Sequence, residues 1–418
     1  MFKFEEKTFE SNLPVKYVFE EGVHNKDYLV VVFSGFNSVK SKTPYNYNYI
    51  RTLRTIDCNR LFILDNYGPR GSYYLGENLS FDFEEAVFSL ITTIAENKNV
   101  KKDKVITAGS SKGGSAALYF GLKYNFGNVI AGAPQTKIAD YVNQYSKETL
   151  NYILGGNVSE TRISQLNQLI FNELETENSP ILRILTSEND DQYKHHIVPF
   201  EDNLKNTDIN YYLDVNNDIL SHNDIAVHFP LYLIKQLLYI MYDIDLKKFN
   251  INQESVKEWE IEIVPEEGNI VHSSLEVKDS EKSLSQIPIS SSLLFDKTSL
   301  QIKGFNILNL EVSITKNGEN ILSYPLETIL SFDGLVLMGT DLRVEEDALV
   351  FELLMDEHPK LEYAFYVRKN NVVIDKIMYQ KSKKLVYPIN GHGTYQIHYF
   401  IKYKKEKYSN RSKSINVK

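Results

Sequence analysis

The chain has 418 residues, more than one hydrophobic core usually serves, so we expect two or three domains. A formal net charge of −9 argues against nonspecific binding of nucleic acid, which needs a basic surface. A single cysteine, Cys58, excludes a disulfide framework and a cysteine-rich zinc site. The N-terminal segment lacks the apolar core of a signal peptide, and we find no apolar window of about 18 residues, so we expect a cytoplasmic protein without a transmembrane segment.

Short apolar runs alternate with helical segments from about residue 28 to residue 246. Continuous apolar runs are typical of strands buried on both faces, and their alternation with helices predicts a mostly parallel sheet covered by helices. Between 135 and 179 the pattern predicts helices, which form either a lid over the strand ends or ordinary crossover packing. We predict strands at 28–35, 60–66, 103–109, 127–134, 180–188 and 209–215, and helices at 81–98 and 112–125.

The pattern changes after residue 250, where β-rich runs follow one another without helices. Asn317-Gly318 and Asn370-Asn371 are hairpin-turn signals. Tyr395, followed by alternating apolar residues, is typical of the tyrosine-corner strand of an immunoglobulin-like sandwich. We therefore assign residues 1–250 to an α/β domain and residues 251–418 to an all-β region of one or two sandwich units.

The stretch ITAGSSKGGSAAL, residues 106–118, passes from a predicted strand through a tight turn into a predicted helix. A phosphate-binding P-loop would place its lysine after the glycines, and here Lys112 precedes Gly113, so that interpretation fails. Gly109, Ser111 and Gly113 instead match the Gly-x-Ser-x-Gly nucleophile elbow, where glycines leave room for a strained serine. We predict an α/β-hydrolase-like fold with Ser111 as nucleophile; the alternative is a glycine-containing turn with incidental serines.

A serine nucleophile in this fold needs an acid and then a histidine, in that order, on loops after later strands. The loop after the strand at 180–188 offers three acids. We choose Asp190, with Asp191 second and Glu188 third, because the acid usually follows a glycine by three residues. In this sequence Ser187 stands in that glycine's place.

His222 follows the strand at 209–215 and is the predicted general base, because an imidazole must take the serine proton. His195 and His196 lie near candidate acids, but no further ligand accompanies them. We interpret these two as solvated histidines and expect neither a metal nor a cofactor.

The main-chain N–H groups of Lys112 and Phe36 are the predicted oxyanion donors, one after the nucleophile and one after an earlier strand. Arg70, Tyr73 and Tyr74 lie in a loop at the same rim. Aromatic faces stack on sugar rings and a guanidinium binds anionic groups, so these three residues are candidate substrate-binding residues. The alternative is a structured surface loop with Arg70 in a local ion pair.

Four stretches together carry a family resemblance: Phe33–Gly35, Tyr67–Gly71, Gly109–Gly114 and Gly132–Gln135. They resemble the XcbB/CpsF-type capsular polysaccharide biosynthesis proteins, and the Gly-Ser-Ser-Lys-Gly-Gly elbow is similar to that of the acetyltransferase-like component of the accessory Sec system. The resemblance implies a bacterial cytoplasmic protein of surface-glycan assembly, with O-acetyl transfer or removal on a sugar. It also implies Ser111 and His222 as nucleophile and base.

The leading hypothesis is a Ser-His-Asp acyltransferase or carbohydrate esterase acting on a glycan or glycolipid with an acyl donor, soluble or peripheral at the membrane. A rival hypothesis is a noncatalytic scaffold that binds a glycosyltransferase or export partner. A peptidase of similar architecture is a third hypothesis. Transfer and hydrolysis differ only in whether a sugar hydroxyl or water accepts the acyl group, which the sequence does not distinguish.

Overall fold

A computed structural model describes residues 4–37, 43–175, 180–268, 271–279 and 282–417. The chain divides into two units, Met1–Asp245 and Leu246–Lys418.

The N-terminal unit alternates strands and helices along the chain. Its strands are β1 (Glu6–Phe9), β2 (Val15–Glu20), β3 (Leu29–Phe33), β4 (Asn59–Ile63), β5 (Val105–Ser110), β6 (Asn128–Gly132), β7 (Ile181–Thr186) and β8 (Tyr211–Val215). Its helices are α1 (Ile50–Leu53), α2 (Asp82–Asn97), α3 (Lys112–Lys123), α4 (Ile138–Tyr145), α5 (Lys147–Ile153), α6 (Glu160–Gln168), α7 (Val198–Leu204) and α8 (Ile225–Tyr242).

The eight strands form one sheet in the order β1-β2-β4-β3-β5-β6-β7-β8. Every pairing from β4 to β8 is parallel, whereas β1 and β2 form an antiparallel hairpin at one edge. All five side chains of β3 are buried, as expected for a strand covered on both faces. The carboxyl ends of the parallel strands therefore meet at one edge of the sheet, where residues from separate loops can converge.

The helices bury apolar faces against this sheet. In α2 the side chains of Phe83, Val87, Leu90 and Ile91 are buried at helical spacing. Acidic residues in its first turn stabilise the helix by interacting with the positive end of its dipole. Segment 135–179 contains α4, α5 and α6, and its role as a lid stays a prediction.

One helical segment in the described parts of the chain, His222–Tyr242, is long and apolar enough to cross a membrane by length and composition alone. The sequence search for an apolar window of about 18 residues did not detect this segment. Buried core helices pass the same test, and Phe229, Leu233 and Leu237 of this segment are fully buried. The apolar window as a whole is 39% buried, and the helix packs against β5, β6 and β7.

The C-terminal unit is almost entirely β-structure. Its strands are β9 (Leu246–Gln253), β10 (Glu258–Pro265), β11 (His272–Asp279), β12 (Lys282–Ile289), β13 (Ser292–Asp296), β14 (Phe305–Lys316), β15 (Glu319–Phe332), β16 (Leu335–Leu337), β17 (Gly339–Glu345), β18 (Ala348–Leu354), β19 (Leu361–Lys369), β20 (Val372–Gln380), β21 (Lys384–Pro388), β22 (Gly393–Tyr403), β23 (Glu406–Arg411) and β24 (Ile415–Val417). They form four sheets, in the orders β13-β10-β9, β12-β11-β14-β15-β16, β17-β18-β21 and β20-β19-β22-β23, with β24 beside β22.

Both predicted turns join antiparallel strands in this unit. Asn317 and Gly318 have φ of 54° and 82° between β14 and β15, and Asn370 and Asn371 have φ of 49° and 68° between β19 and β20. Two consecutive positive φ angles match the twist of the strands they join. The Tyr395 hydroxyl lies 2.9 Å and 3.0 Å from main-chain carbonyl oxygens four and five residues upstream, the arrangement of a tyrosine corner.

Candidate functional site

Ser111 lies at a sharp turn between β5 and α3, with φ 53° and ψ −124°. Such backbone is strained for a residue with a side chain and persists only where the surroundings enforce it. A Cβ on Gly109 would lie 2.4 Å from the Gly113 carbonyl oxygen, and one on Gly113 would lie 2.4 Å from the Phe33 carbonyl oxygen. The glycines are therefore required because the backbone segments around Ser111 are in direct contact.

His222 and Asp190 lie beside this turn, although both are distant from Ser111 in the chain. His222 Nε2 is 2.9 Å from Ser111 Oγ, and His222 Nδ1 is 2.8 Å from Asp190 Oδ2. The carboxylate is almost fully buried, whereas the imidazole retains partial exposure. The structure thus aligns a hydroxyl, an imidazole and a carboxylate in one hydrogen-bonded series.

Of the three candidate acids, the structure places Asp190 against His222. Its Oδ1 accepts a hydrogen bond of 2.9 Å from the Gln192 amide, which fixes the carboxylate plane. Burial alone would raise the pKa of Asp190, but the hydrogen bond and charge of His222, with the Gln192 amide, outweigh burial and hold it below its ordinary value. Asp191 and Glu188 are exposed.

The two predicted oxyanion donors lie on segments that meet at the elbow. Lys112 is the first residue of α3, where a main-chain N–H has no acceptor within the helix. A Cβ on Gly35 would lie 3.5 Å from the Ser110 carbonyl oxygen, so the turn leading to Phe36 is packed against the elbow. The role of both N–H groups stays a prediction.

The side chain of Lys112 points into the protein and forms a buried ion pair. Its Nζ is 2.6 Å from Asp65 Oδ2, and both side chains are at most 1% exposed. The Ser72 amide donates to both Asp65 oxygens at 2.9 Å. Lys112 Nζ also lies 5.5 Å from the centre of the Phe36 ring, so this cation supports the turn that carries the second predicted oxyanion donor.

Arg70 contacts the same turn. Its guanidinium carbon is 4.9 Å from the centre of the Phe36 ring, and Nη2 donates to the Asn37 carbonyl oxygen at 2.8 Å. These contacts fix the chain after β3. We did not predict this structural role of Arg70 from the sequence. Recognition of a substrate by Arg70 stays a prediction.

Tyr73 and Tyr74 do not line an exposed surface, so the prediction that their rings stack on a sugar is wrong. They are 1% and 0% exposed and belong to the core. Both have positive φ, 55° and 62°, which folds their side chains inward beneath the elbow. The Tyr74 hydroxyl contacts the Ser34 amide and donates to the Ile63 carbonyl oxygen.

Gln135 was not among the predicted site residues, yet it contacts Ser111, the predicted nucleophile. Its Nε2 donates to Ser111 Oγ at 2.7 Å, and its Oε1 accepts a hydrogen bond of 2.6 Å from the Tyr73 hydroxyl. The only signal in the sequence is its position just after a strand, in the stretch Gly132–Gln135 that contributed to the resemblance.

A cavity of about 350 Å³ includes Asp191 and Gln192, the two residues after Asp190, in its wall. It is lined by Lys137, Asp140, Tyr141, Gln144, Tyr145, Asp191, Gln192, His195 and His196. The interpretation of His196 as solvated is wrong: the side chain is 4% exposed, and burial lowers its pKa to about 4. His195 is exposed, and no cluster of potential metal ligands occurs among the described residues.

The N-terminal unit is therefore α/β-hydrolase-like: a mostly parallel sheet carries the strained Gly-x-Ser-x-Gly turn after β5, and further polar residues follow β6, β7 and β8. Residues 15–205 match the family model described as accessory Sec system GspB-transporter. That range contains Ser111, Gln135 and Asp190 and ends before His222.

Individual proteins are similar to parts of this chain. An accessory Sec system protein of Staphylococcus aureus is 28% identical over 149 residues, 34% of this chain and 27% of that protein, so the match spans about a quarter of the relative. The capsule O-acetyltransferase of Neisseria meningitidis serogroup A is 24% identical, over 55% of this chain and 93% of that one, with a TM-score of 0.47. The Glycosylation Associate Protein (Gap123) complex from Streptococcus agalactiae is 17% identical, over 57% of this chain and 47% of that one, with a TM-score of 0.48.

Proposed function

We propose that this chain is a serine-dependent acyltransferase or esterase that acts on a hydroxyl group of a glycan or glycolipid, with an O-acetyl group as the acyl unit. The observation that supports this proposal is the hydrogen-bonded series Ser111–His222–Asp190 at a strained elbow. A serine hydroxyl is a weak nucleophile until an oriented imidazole takes its proton, and this series supplies both the imidazole and the orienting carboxylate.

In the proposed reaction, Ser111 Oγ attacks the acyl carbonyl carbon while its proton passes to His222 Nε2. Asp190 stabilises the imidazolium, and the N–H groups of Lys112 and Phe36 stabilise the oxyanion. His222 then protonates the departing alcohol, leaving an acyl ester on Ser111. A sugar hydroxyl or water next loses its proton to His222 as it attacks that ester, and Ser111 leaves and regains the proton.

The biological context that we propose is bacterial surface-glycan or glycoprotein biosynthesis, on the cytoplasmic side and soluble or peripheral at the membrane. The family match of residues 15–205 to an accessory Sec component supports it. The narrower assignment to the XcbB/CpsF-type capsular proteins rests on the sequence resemblance.

For the C-terminal unit we propose an immunoglobulin-like sandwich that binds or braces rather than catalyses. The tyrosine corner at Tyr395 and the hairpins on Asn317-Gly318 and Asn370-Asn371 support this proposal.

The test is labelling with a fluorophosphonate probe and turnover of p-nitrophenyl acetate, with free sugars added as acceptors. We expect Ser111→Ala to abolish labelling and His222→Ala to slow it by about 10³-fold or more. The matched control is Ser110→Ala, because the neighbouring Ser110 hydroxyl contacts Tyr49 rather than His222. Wild-type protein that is folded but neither labelled nor active would contradict the proposal.

A second candidate is a noncatalytic component of an export assembly. The specific observation in its favour is the family model, whose description names a transport system rather than an enzyme. This role predicts that Ser111→Ala keeps every partner interaction and the full biological function. Loss of function in Ser111→Ala with partner binding intact would reject the scaffold as the whole role.

A further inference from the structure

The amide of Gln135 is a second hydrogen-bond partner of Ser111 Oγ, in addition to His222. The residue is fully buried, and its Nε2 is 2.7 Å from Ser111 Oγ, closer than His222 Nε2 at 2.9 Å. A carboxylate only accepts hydrogen bonds, so Asp190 requires the proton of a neutral His222 on Nδ1 and leaves Nε2 to accept the hydroxyl proton of Ser111. Gln135 is then the group that donates a hydrogen bond to the hydroxyl oxygen.

Both ends of Gln135 are held in place. The Tyr73 hydroxyl donates to Oε1, which directs the nitrogen toward Ser111. The Gln135 main-chain N–H donates to Ser115 Oγ at 2.8 Å, and Ser115 Oγ lies 3.0 Å from the Gln135 carbonyl oxygen. The Gln135 side chain also opposes the rise in the pKa of Tyr141 that burial causes. Neither the backbone nor the side chain of Gln135 is free to turn away.

We propose that Gln135 is a catalytic residue of the reaction proposed above, on which this inference rests: its side-chain N–H stabilises the negative charge that develops on Ser111 Oγ. That charge develops twice. In acylation the O–H bond of Ser111 breaks, its proton goes to His222, and the electron pair left on Oγ forms the bond to the acyl carbon. In deacylation the bond between Oγ and the acyl carbon breaks, and its electron pair returns to Oγ.

His222 cannot remain hydrogen-bonded to Ser111 Oγ throughout these steps. After it takes the serine proton, its Nε2–H must turn to the departing alcohol and give the proton up there. In deacylation it first takes a proton from the sugar hydroxyl or water. The Gln135 N–H keeps its proton in every step. It therefore remains a donor to Ser111 Oγ while His222 exchanges a proton with the departing alcohol or with the attacking hydroxyl or water.

Gln135 also interacts with Tyr141, a residue of the cavity wall. The Tyr141 ring is 6.2 Å from the ring of Phe36, the residue of the second predicted oxyanion donor. Gln135 thus interacts both with Ser111 and with a tyrosine that packs against the predicted oxyanion turn.

The experiment compares wild type, Gln135→Glu, Gln135→Met and Tyr73→Phe in the full-length chain. It measures the second-order rate of fluorophosphonate labelling, and the acylation and deacylation rates with p-nitrophenyl acetate, with thermal unfolding to establish folding. Loss of a hydrogen bond to a charged oxygen reduces a rate by about 10- to 100-fold, which we expect for Gln135→Met in both half-reactions. For Tyr73→Phe we expect a smaller loss, about threefold to tenfold, because the amide keeps its nitrogen but loses its orienting partner.

The pH dependence of Gln135→Glu separates catalysis from packing. A carboxylate accepts hydrogen bonds, whereas a protonated carboxyl donates one, so the rate of the variant relative to wild type should rise by about tenfold between pH 8 and pH 5.5. His222, Tyr73 and Tyr141 are the titratable groups that face this position, and each rate is expressed relative to wild type at the same pH. The matched control is Gln168→Glu at the exposed end of α6, whose ratio should stay flat.

The outcomes distinguish this inference from the proposed function. Labelling of wild type and not of Ser111→Ala, with folded Gln135→Met and Tyr73→Phe at wild-type rates, would overturn the role of Gln135 and leave the nucleophile intact. Reduced rates with a flat pH ratio in Gln135→Glu would also overturn it, because packing alone then explains the loss. Absence of labelling in folded wild type would overturn both proposals.

Discussion

The ammonium group of Lys112 lies 2.6 Å from Asp65 Oδ2 inside the protein, one residue after Ser111. Burial lowers the pKa of Lys112, and the charge and hydrogen bond of Asp65 oppose that shift. The pair connects the chain after β4 to the first turn of α3. A buried ion pair therefore stabilises the turn that carries Ser111.

Removing one member of this pair should destabilise the protein strongly. Asp65→Asn leaves a buried ammonium without its counter-charge, and we expect the free energy of unfolding to fall by about 3–5 kcal/mol. Urea unfolding followed by circular dichroism measures it. Lys16→Met is the control, because the Lys16–Glu6 pair is exposed and should contribute less than about 1 kcal/mol. A similar small loss in both variants would contradict a supporting role for Asp65.

The contact between Asp190 and His222 predicts a large and specific effect on turnover. Asp190→Asn keeps the shape of the side chain but favours the wrong tautomer of His222, and we expect the rate of acyl transfer to fall by about 10⁴-fold. Glu188→Gln is the control, because this exposed acid lies in the same loop and should leave the rate unchanged. Equal effects of the two substitutions on p-nitrophenyl acetate turnover would mean that Asp190 is not the orienting acid.

Buried His196 should make the N-terminal unit less stable in mild acid. Its pKa is about 4 in the folded protein because burial lowers it more than Asp140 raises it, whereas an unfolded histidine takes up a proton near pH 6.5. Between these values the unfolded state binds more protons, so stability falls as pH falls. We expect a loss of about 2 kcal/mol between pH 7.5 and pH 5.

His196→Gln should flatten that dependence, since its amide oxygen can still accept the Lys137 N–H that His196 Nδ1 accepts at 3.2 Å. His195→Gln, at the exposed neighbour, is the matched control. Urea unfolding at each pH gives the slope for all three proteins. A slope in His196→Gln as steep as that of wild type would assign the acid sensitivity to other groups.

Two buried tyrosines of the C-terminal unit should respond differently to loss of the hydroxyl. The Tyr395 hydroxyl is hydrogen-bonded at the tyrosine corner, whereas the Tyr363 hydroxyl is buried with no hydrogen-bond partner among the described residues. We expect Tyr395→Phe to lose about 1 kcal/mol and Tyr363→Phe to lose nothing or to gain stability. Thermal unfolding of the full chain checks both, and a greater loss in Tyr363→Phe would contradict the assignment of partners.

Local steric rules explain why part of this site was predictable from sequence. A strained serine needs glycines two residues away on each side, and the chain order of acid and histidine follows from the order of strands in the fold. Those rules led to Ser111, Asp190 and His222. Hairpin turns were equally accessible, because few residues other than Asn and Gly accept consecutive positive φ angles.

Burial in the loops was not predictable by the same rules. Tyr73 and Tyr74 lie in a polar loop whose composition indicates a surface, and only the positive φ of both residues turns their rings into the core. Gln135 has no sequence pattern of its own, since its amide reaches Ser111 only through the neighbouring register of β5 and β6. We did not predict the β1–β2 hairpin, because its two short edge strands alternate charged residues and lack a continuous apolar run.

Four neighbouring parallel strands each deliver one polar residue to the site: Ser111 follows β5 directly, and Gln135, Asp190 and His222 follow β6, β7 and β8. One residue of slip between strands moves a side chain by about 3.3 Å, more than the length of any hydrogen bond that joins these four. Changes in chain length are therefore far less tolerable after each of these strands than before it. Insertions and deletions among homologues should accumulate at the opposite edge of the sheet, and that edge is where a tag or a fused domain can be placed with the least effect on the site.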